Sequence, residues 1–205
     1  MNALAHLRQA TLATALVALA APAMAFDAAQ VPEAKRTSLG LYLDAKEAAQ
    51  LKAEQGAKAL FIDVRSRAEA TFLGMSTQVD ALMPYQEFGG EMAIWDDREN
   101  AFGLEANLDF IPQIEALFKA KGIGKNSPII VMCRSGNRSA TAVTLLAKYG
   151  YTQVYSVVDG YEGDVAKSGP KAGQRVLNGW RVEGLPWGYK LDPRAIEHAL
   201  PCLGA

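Results

Sequence analysis

One stretch of roughly thirty residues constrains the fold more than any other. Pro128-Ile129-Ile130-Val131-Met132 is an unbroken apolar run, the pattern of a strand buried on both faces. Cys133 to Arg138 follows as a tight polar loop. Ser139 to Tyr149 then reads as a helix, with Gly150 where a C-terminal cap belongs. Val154 to Val158 is a second apolar strand. Strand, loop, helix and strand in so short a span form a βαβ crossover. That implies an α/β architecture, a doubly wound parallel sheet with helices on both faces.

The rest of the chain supplies further units. Asp44 to Gln55 predicts a helix, with Asp44 as N-cap and Glu47 completing a capping box. Leu60 to Val64 predicts a buried parallel strand, Ser66 to Leu73 a short helix, and Val79 to Met83 another strand. Leu108 to Lys121 is a helical stretch ended by Gly122 and Gly124. The polar, Gly-containing segment 84–107 reads as an insertion or long loop outside the core. Its acids Asp96, Asp97 and Glu99 lack the spacing of a calcium loop.

The loop at Cys133 carries the chemistry. It joins the C-terminal end of a strand to the N-terminus of a helix, the place where open α/β sheets bind ligands. Backbone N–H groups there have no internal partner, and Arg134 and Arg138 lie within five residues of the thiol. Both effects favour negative charge and hence a thiolate. A guanidinium fork and aligned amides also suit a small anionic sulfur donor.

Cys133-Arg134-Ser135-Gly136-Asn137-Arg138, followed by Ser139, resembles the active-site loop of rhodanese-like (thiosulfate) sulfurtransferases, which has six residues from its cysteine. Dual-specificity phosphatases and arsenate reductases of similar fold use Cys-x5-Arg, one residue longer. The shorter ring implies sulfur rather than phosphoryl chemistry. Phe61 to Arg65 with Glu69 and Phe72, Val79 to Tyr85, Asp159-Gly160-Tyr161, Trp180 and Gly184-Leu185-Pro186 extend the resemblance from about Asp44 to Trp187. Two departures stand out. Gly74-Met75-Ser76 replaces the Gly-His-Ile of many members, and about 20 residues separate Gly160 from Trp180.

The resemblance implies catalysis by Cys133 through a persulfide, with Arg134, Ser135, Gly136, Asn137, Arg138 and Ser139 binding substrate and Asp63 and Arg65 as structural support. It implies thiosulfate or a persulfide as donor, a thiol or cyanide as acceptor, and neither cofactor nor metal. The alternative is a sulfur-carrier or interaction module that docks, without turnover, on a periplasmic redox system.

The N-terminus points to export. Arg8, the 12-residue apolar run Ala10 to Ala21 and Ala23-Met24-Ala25 have the order of a Sec-type signal peptide cleaved after Ala25. Twelve residues rise only about 18 Å as a helix, short of a hydrocarbon core of roughly 30 Å. A periplasmic or secreted protein, free of the membrane after cleavage, is therefore expected. Residues 26–43 would be a lead-in, 44–190 a single domain with insertions near 84–107 and 161–179, and 191–205 a tail. The remaining 180 residues carry a formal charge of −2, which excludes a nucleic-acid partner held by basic surplus. Two cysteines make no disulfide scaffold, and His198, alone after residue 25, leaves little for a metal site or a Ser-His-Asp triad. Cys202, in the tail, is expected to be unpaired.

Overall fold

The structure, a computed structural model, describes residues 26–89, 94–98 and 100–197. The expected signal peptide, His198 and Cys202 lie outside them. No helix among the described residues is long and apolar enough to cross a membrane.

The first half comprises β1 (Tyr42–Leu43), α1 (Ala45–Gln55), β2 (Leu60–Asp63), α2 (Arg67–Leu73), β3 (Met75–Ser76) and β4 (Ala81–Leu82). The outer strands β5 (Gln86–Phe88), β6 (Trp95–Asp96), β7 (Ala101–Phe102) and β8 (Leu104–Ala106) come next. Then follow α3 (Phe110–Ala120), β9 (Ile129–Met132), α4 (Asn137–Lys148), β10 (Val154–Val157), β11 (Trp187–Gly188) and α5 (Pro193–Ile196).

Five strands form one parallel sheet in the order β1-β10-β9-β2-β4. Side chains alternate across it, as the two-residue period requires. Ile129, Val131 and Cys133 join a core with Phe110, Ile114, Leu117 and Phe118 of α3 and Ala142, Val143 and Leu146 of α4. Ile130 and Met132 face the opposite core with Ala45, Ala48 and Ala49 of α1, Ala70 of α2, Trp180 and Ala195. The doubly wound α/β layering expected of the chain is thus present.

Local signals placed the helices. Asp44 and Glu47 form a complete capping box on α1, and Ser66 and Glu69 form another on α2. Gly150 follows α4 with φ 85°, the left-handed turn that ends a helix. Three readings need correction. Tyr42 and Leu43, at the end of the expected lead-in 26–43, pair with Ser156 and Val157 as the sheet's edge strand. The segment 84–107, expected as an insertion or long loop outside the core, does lie outside the central sheet but carries short strands, with β5 antiparallel to β8 and β6 to β7. The helix after Cys133 starts at Asn137 rather than Ser139, so Asn137 and Arg138 occupy its first turn.

Candidate functional site

Three parallel strands deliver their C-terminal ends to one edge. Val64 donates to Met132 O at 2.8 Å, and Tyr161 donates to Cys133 O at 2.8 Å. The segments after β2, β9 and β10 therefore lie side by side, with Cys133 in the middle.

Cys133 is 1% exposed. The Gly136 N–H donates to its Sγ at 3.2 Å, so the loop curls back over the sulfur. Gly136 makes that curl possible with φ 98° in the left-handed region, and a Cβ there would meet Val158 O. Ser139 Oγ lies 3.7 Å from Sγ, donates to Gly136 O at 2.9 Å and accepts from Ser156 Oγ at 3.2 Å. Ser156 lies on β10, and sequence reasoning missed it. Only the β9–β10 register, which sets it opposite Val131, brings it here.

Both loop arginines are ion-paired. Arg138 forms a two-point fork with Glu69, at 2.7 and 2.6 Å, and the two side chains are only 13% and 12% exposed. Burial disfavours the Glu69 charge, but the Arg138 fork and Ser66 outweigh it and hold the carboxyl down at about 2. Arg134 Nε donates to Glu162 at 2.6 Å while its side chain stays about half exposed. The other loop side chains differ in setting: Ser135 is half-buried and Asn137 is exposed. The cysteine is thus ringed by two neutralised pairs rather than two bare cations. Glu162 was not anticipated, because nothing in its local sequence marks it as Arg134's partner.

Asp63 and Arg65 sit behind the loop, both fully buried. Arg65 donates to both Asp63 oxygens, to Gly74 O at 2.9 Å, and stacks 3.8 Å above the Tyr161 ring. The Tyr161 hydroxyl donates to Leu73 O at 3.1 Å. Burial, partly offset by Arg65, pushes that phenol up to about 12. This cluster locks the end of β2 to α2 and to the chain after β10. Gly74 sits where a Cβ would lie 2.8 Å from Gly188 O, so the departure at 74–76 preserves the close β3–β11 contact.

Asp159, next to the loop's neighbour Gly160, is 4% exposed and has one oxygen without a partner. Its other oxygen accepts from Gly179 N at 3.1 Å. Burial pushes its carboxyl up from 3.8 to about 6. The folded chain then holds more protons than the unfolded one between about pH 4 and 6, so this group's contribution to stability falls as pH rises through that window. Asp159→Asn is expected to gain about 1–2 kcal/mol at pH 7.5 and little at pH 4, as measured by urea unfolding at both. An equal change at both pH values would contradict it.

Comparison with known proteins agrees with this geometry. The family model for the rhodanese-like domain matches residues 44–167. An uncharacterized protein of Rickettsia prowazekii, RP600, is 33% identical over 86 residues, covering 42% of this chain and 59% of that protein. Thiosulfate sulfurtransferase 16 of Arabidopsis thaliana is 41% identical over 61 residues, covering 30% of this chain and 47% of that one. The chain thus spans about half the length of these curated relatives. Among solved structures, Rv0390 of M. tuberculosis superposes with a TM-score of 0.53 at 25% identity, over 72% of this chain and 96% of that one.

Proposed function

Given a chain that belongs to the rhodanese-like domain family, we propose that it moves a sulfane sulfur from thiosulfate or a persulfide donor to a thiol or cyanide through a persulfide on Cys133. One observation carries the proposal: a sulfur at the C-terminal end of a central strand, held by the Gly136 N–H and enclosed by the Cys133–Arg138 loop. A backbone donor aimed at sulfur stabilises charge there at no cost of rearrangement. Sulfur transfer in general is supported by the family and by relatives named as thiosulfate sulfurtransferases.

In the proposed cycle the Cys133 thiolate attacks the outer sulfur of thiosulfate. A new S–S bond forms, the S–S bond of thiosulfate breaks, and sulfite leaves with the electron pair. An acceptor thiolate or cyanide then attacks the terminal sulfur, and the Cys133 thiolate departs unchanged. Arg134, Arg138 and the backbone amides of Ser135, Gly136, Asn137 and Ser139 are the proposed donors to the anion.

The test is mass spectrometry of protein incubated with thiosulfate. A gain of about 32 Da, one sulfur atom, on the peptide containing Cys133, released as thiocyanate by cyanide, is expected. No adduct and no thiocyanate would overturn the assignment.

A second reading has its own observation. Phe88, Trp95 and Phe102 on the outer strands, and Ile94 just before β6, are all more than 40% exposed. Such a surface suits a carrier that docks on a periplasmic redox protein. An adduct that persists through excess cyanide and thiol would favour it. The order of residues 1–25 supports placing either activity outside the cytoplasm.

A further inference from the structure

The chain after Gly160 brings a third arginine to Gly163, beside the acid that pairs with Arg134. Residues 165–175 fold back on themselves: Ala166 donates to Gln174 O at 2.8 Å, Gly173 donates to Ala166 O at 2.8 Å, and Val165 bridges Arg175. The return strand ends with Arg175 Nη1 donating to Gly163 O. Gly163 directly follows Glu162, whose N–H donates to Arg134 O at 2.9 Å and whose carboxylate holds Arg134. Arg175 is therefore anchored one residue from the acid that pairs with Arg134, and Arg134, Glu162, Asp164 and Cys133 all act on it electrostatically.

Arg175 differs from the two loop arginines in how its charge is met. Glu69 is engaged by Arg138 and Glu162 by Arg134. The next acid, Asp164, is taken by Lys35 at 2.7 Å and by Asn178 at 3.1 Å. Among the described residues no carboxylate forms a salt bridge with Arg175, and its recorded partner is a single carbonyl oxygen. A guanidinium has five N–H donors, so most of its fork is uncommitted. It is also half-buried, where a charge is screened less than at an open surface.

We infer that Arg175 is the anion-recognising residue of the Cys133 site, selecting reactants that carry negative charge beyond the reacting atom. The inference rests on the proposed function, and it deepens it by assigning the donor class, small oxyanions such as thiosulfate, to one side chain. Arg134 and Arg138, whose charges Glu162 and Glu69 already meet, hold the loop and add their remaining N–H donors beside it. Arg175 lies beyond residues 44–167, so it is a property of this chain's longer segment between Gly160 and Trp180.

Alkylation of Cys133 tests this without relying on turnover. In each case the thiolate forms a C–S bond and iodide leaves. Iodoacetate carries a carboxylate and iodoacetamide does not, so their rate ratio reports anion recognition, while the iodoacetamide rate and the melting temperature report the fold. In the full chain, Arg175→Gln is expected to lower the ratio about fivefold with the iodoacetamide rate nearly unchanged. Arg175→Lys, which keeps the charge, should recover at least half of that effect.

An unchanged ratio in Arg175→Gln overturns the inference, and so does a ratio equally low in Arg175→Lys. If neither reagent labels the wild type, no anion reaches Cys133 past Arg175, and the inference also fails. If Arg175→Gln does not fold, the Arg175→Lys ratio decides alone: a value within about threefold of wild type supports the inference, and a lower value overturns it. Absence of thiocyanate formation alongside a shifted ratio would refute sulfur transfer and leave anion recognition standing.

Discussion

Replacing Cys133 with serine is expected to lower thiocyanate formation from thiosulfate and cyanide by roughly a thousandfold or more. The fold should survive. A serine Oγ can still accept from Gly136 N–H, and Ser139 lies close by with its own bonds to Gly136 O and Ser156 intact. The chemistry should not, because an alcohol at neutral pH has almost no anion to attack a sulfur and forms no persulfide. Steady-state rates, with melting temperature as the fold control, check both halves. Turnover within tenfold of wild type would remove Cys133 from the mechanism.

Arg65→Met is expected to destabilise the protein by about 3–5 kcal/mol, the cost of breaking one side of a buried ion pair. The Asp63 carboxylate would remain fully buried with little beyond the Arg65 backbone N–H at 3.0 Å to support its charge. Gly74 O would lose its donor and Tyr161 its stacked cation. Methionine fills much of the same volume, so a cavity contributes little. Asp63→Asn/Arg65→Met should recover a substantial part of the loss, because the uncompensated charge is gone. Urea unfolding of the two single variants and the double variant checks this. Additive losses would show that the pair is not coupled as the geometry implies.

The two substitutions separate the roles of residues that sequence reasoning had grouped near one loop. In the proposed cycle Cys133 supplies the reacting sulfur, whereas Asp63 and Arg65 form the pedestal that ties β2, α2 and the chain after β10 together.

Much of this was legible in the residues because its causes are local. The apolar run Ile129 to Met132 fixes a strand buried on both faces, and the capping box at Asp44 acts across three residues. Gly150 ends α4 through its own backbone freedom. The Cys133–Arg138 ring also announced itself, since a cysteine, a glycine and two arginines between strand and helix are local facts.

Tertiary structure alone decided which partner each charge would have. Glu69 is 69 residues from Arg138, and Glu162 is 28 from Arg134. Sequence shows the arginines and suggests a cationic bowl, whereas the fold neutralises both and leaves Arg175 as a cation without a carboxylate salt bridge among the described residues. The same holds for the edge strand Tyr42–Leu43 and the outer strands of 86–106, whose short runs have too little periodicity to be read without their partners. Capping, turns and strand burial follow from neighbours within a few positions. Charge pairing depends on which distant segments the sheet brings within a few ångströms, and no window along the chain contains that information.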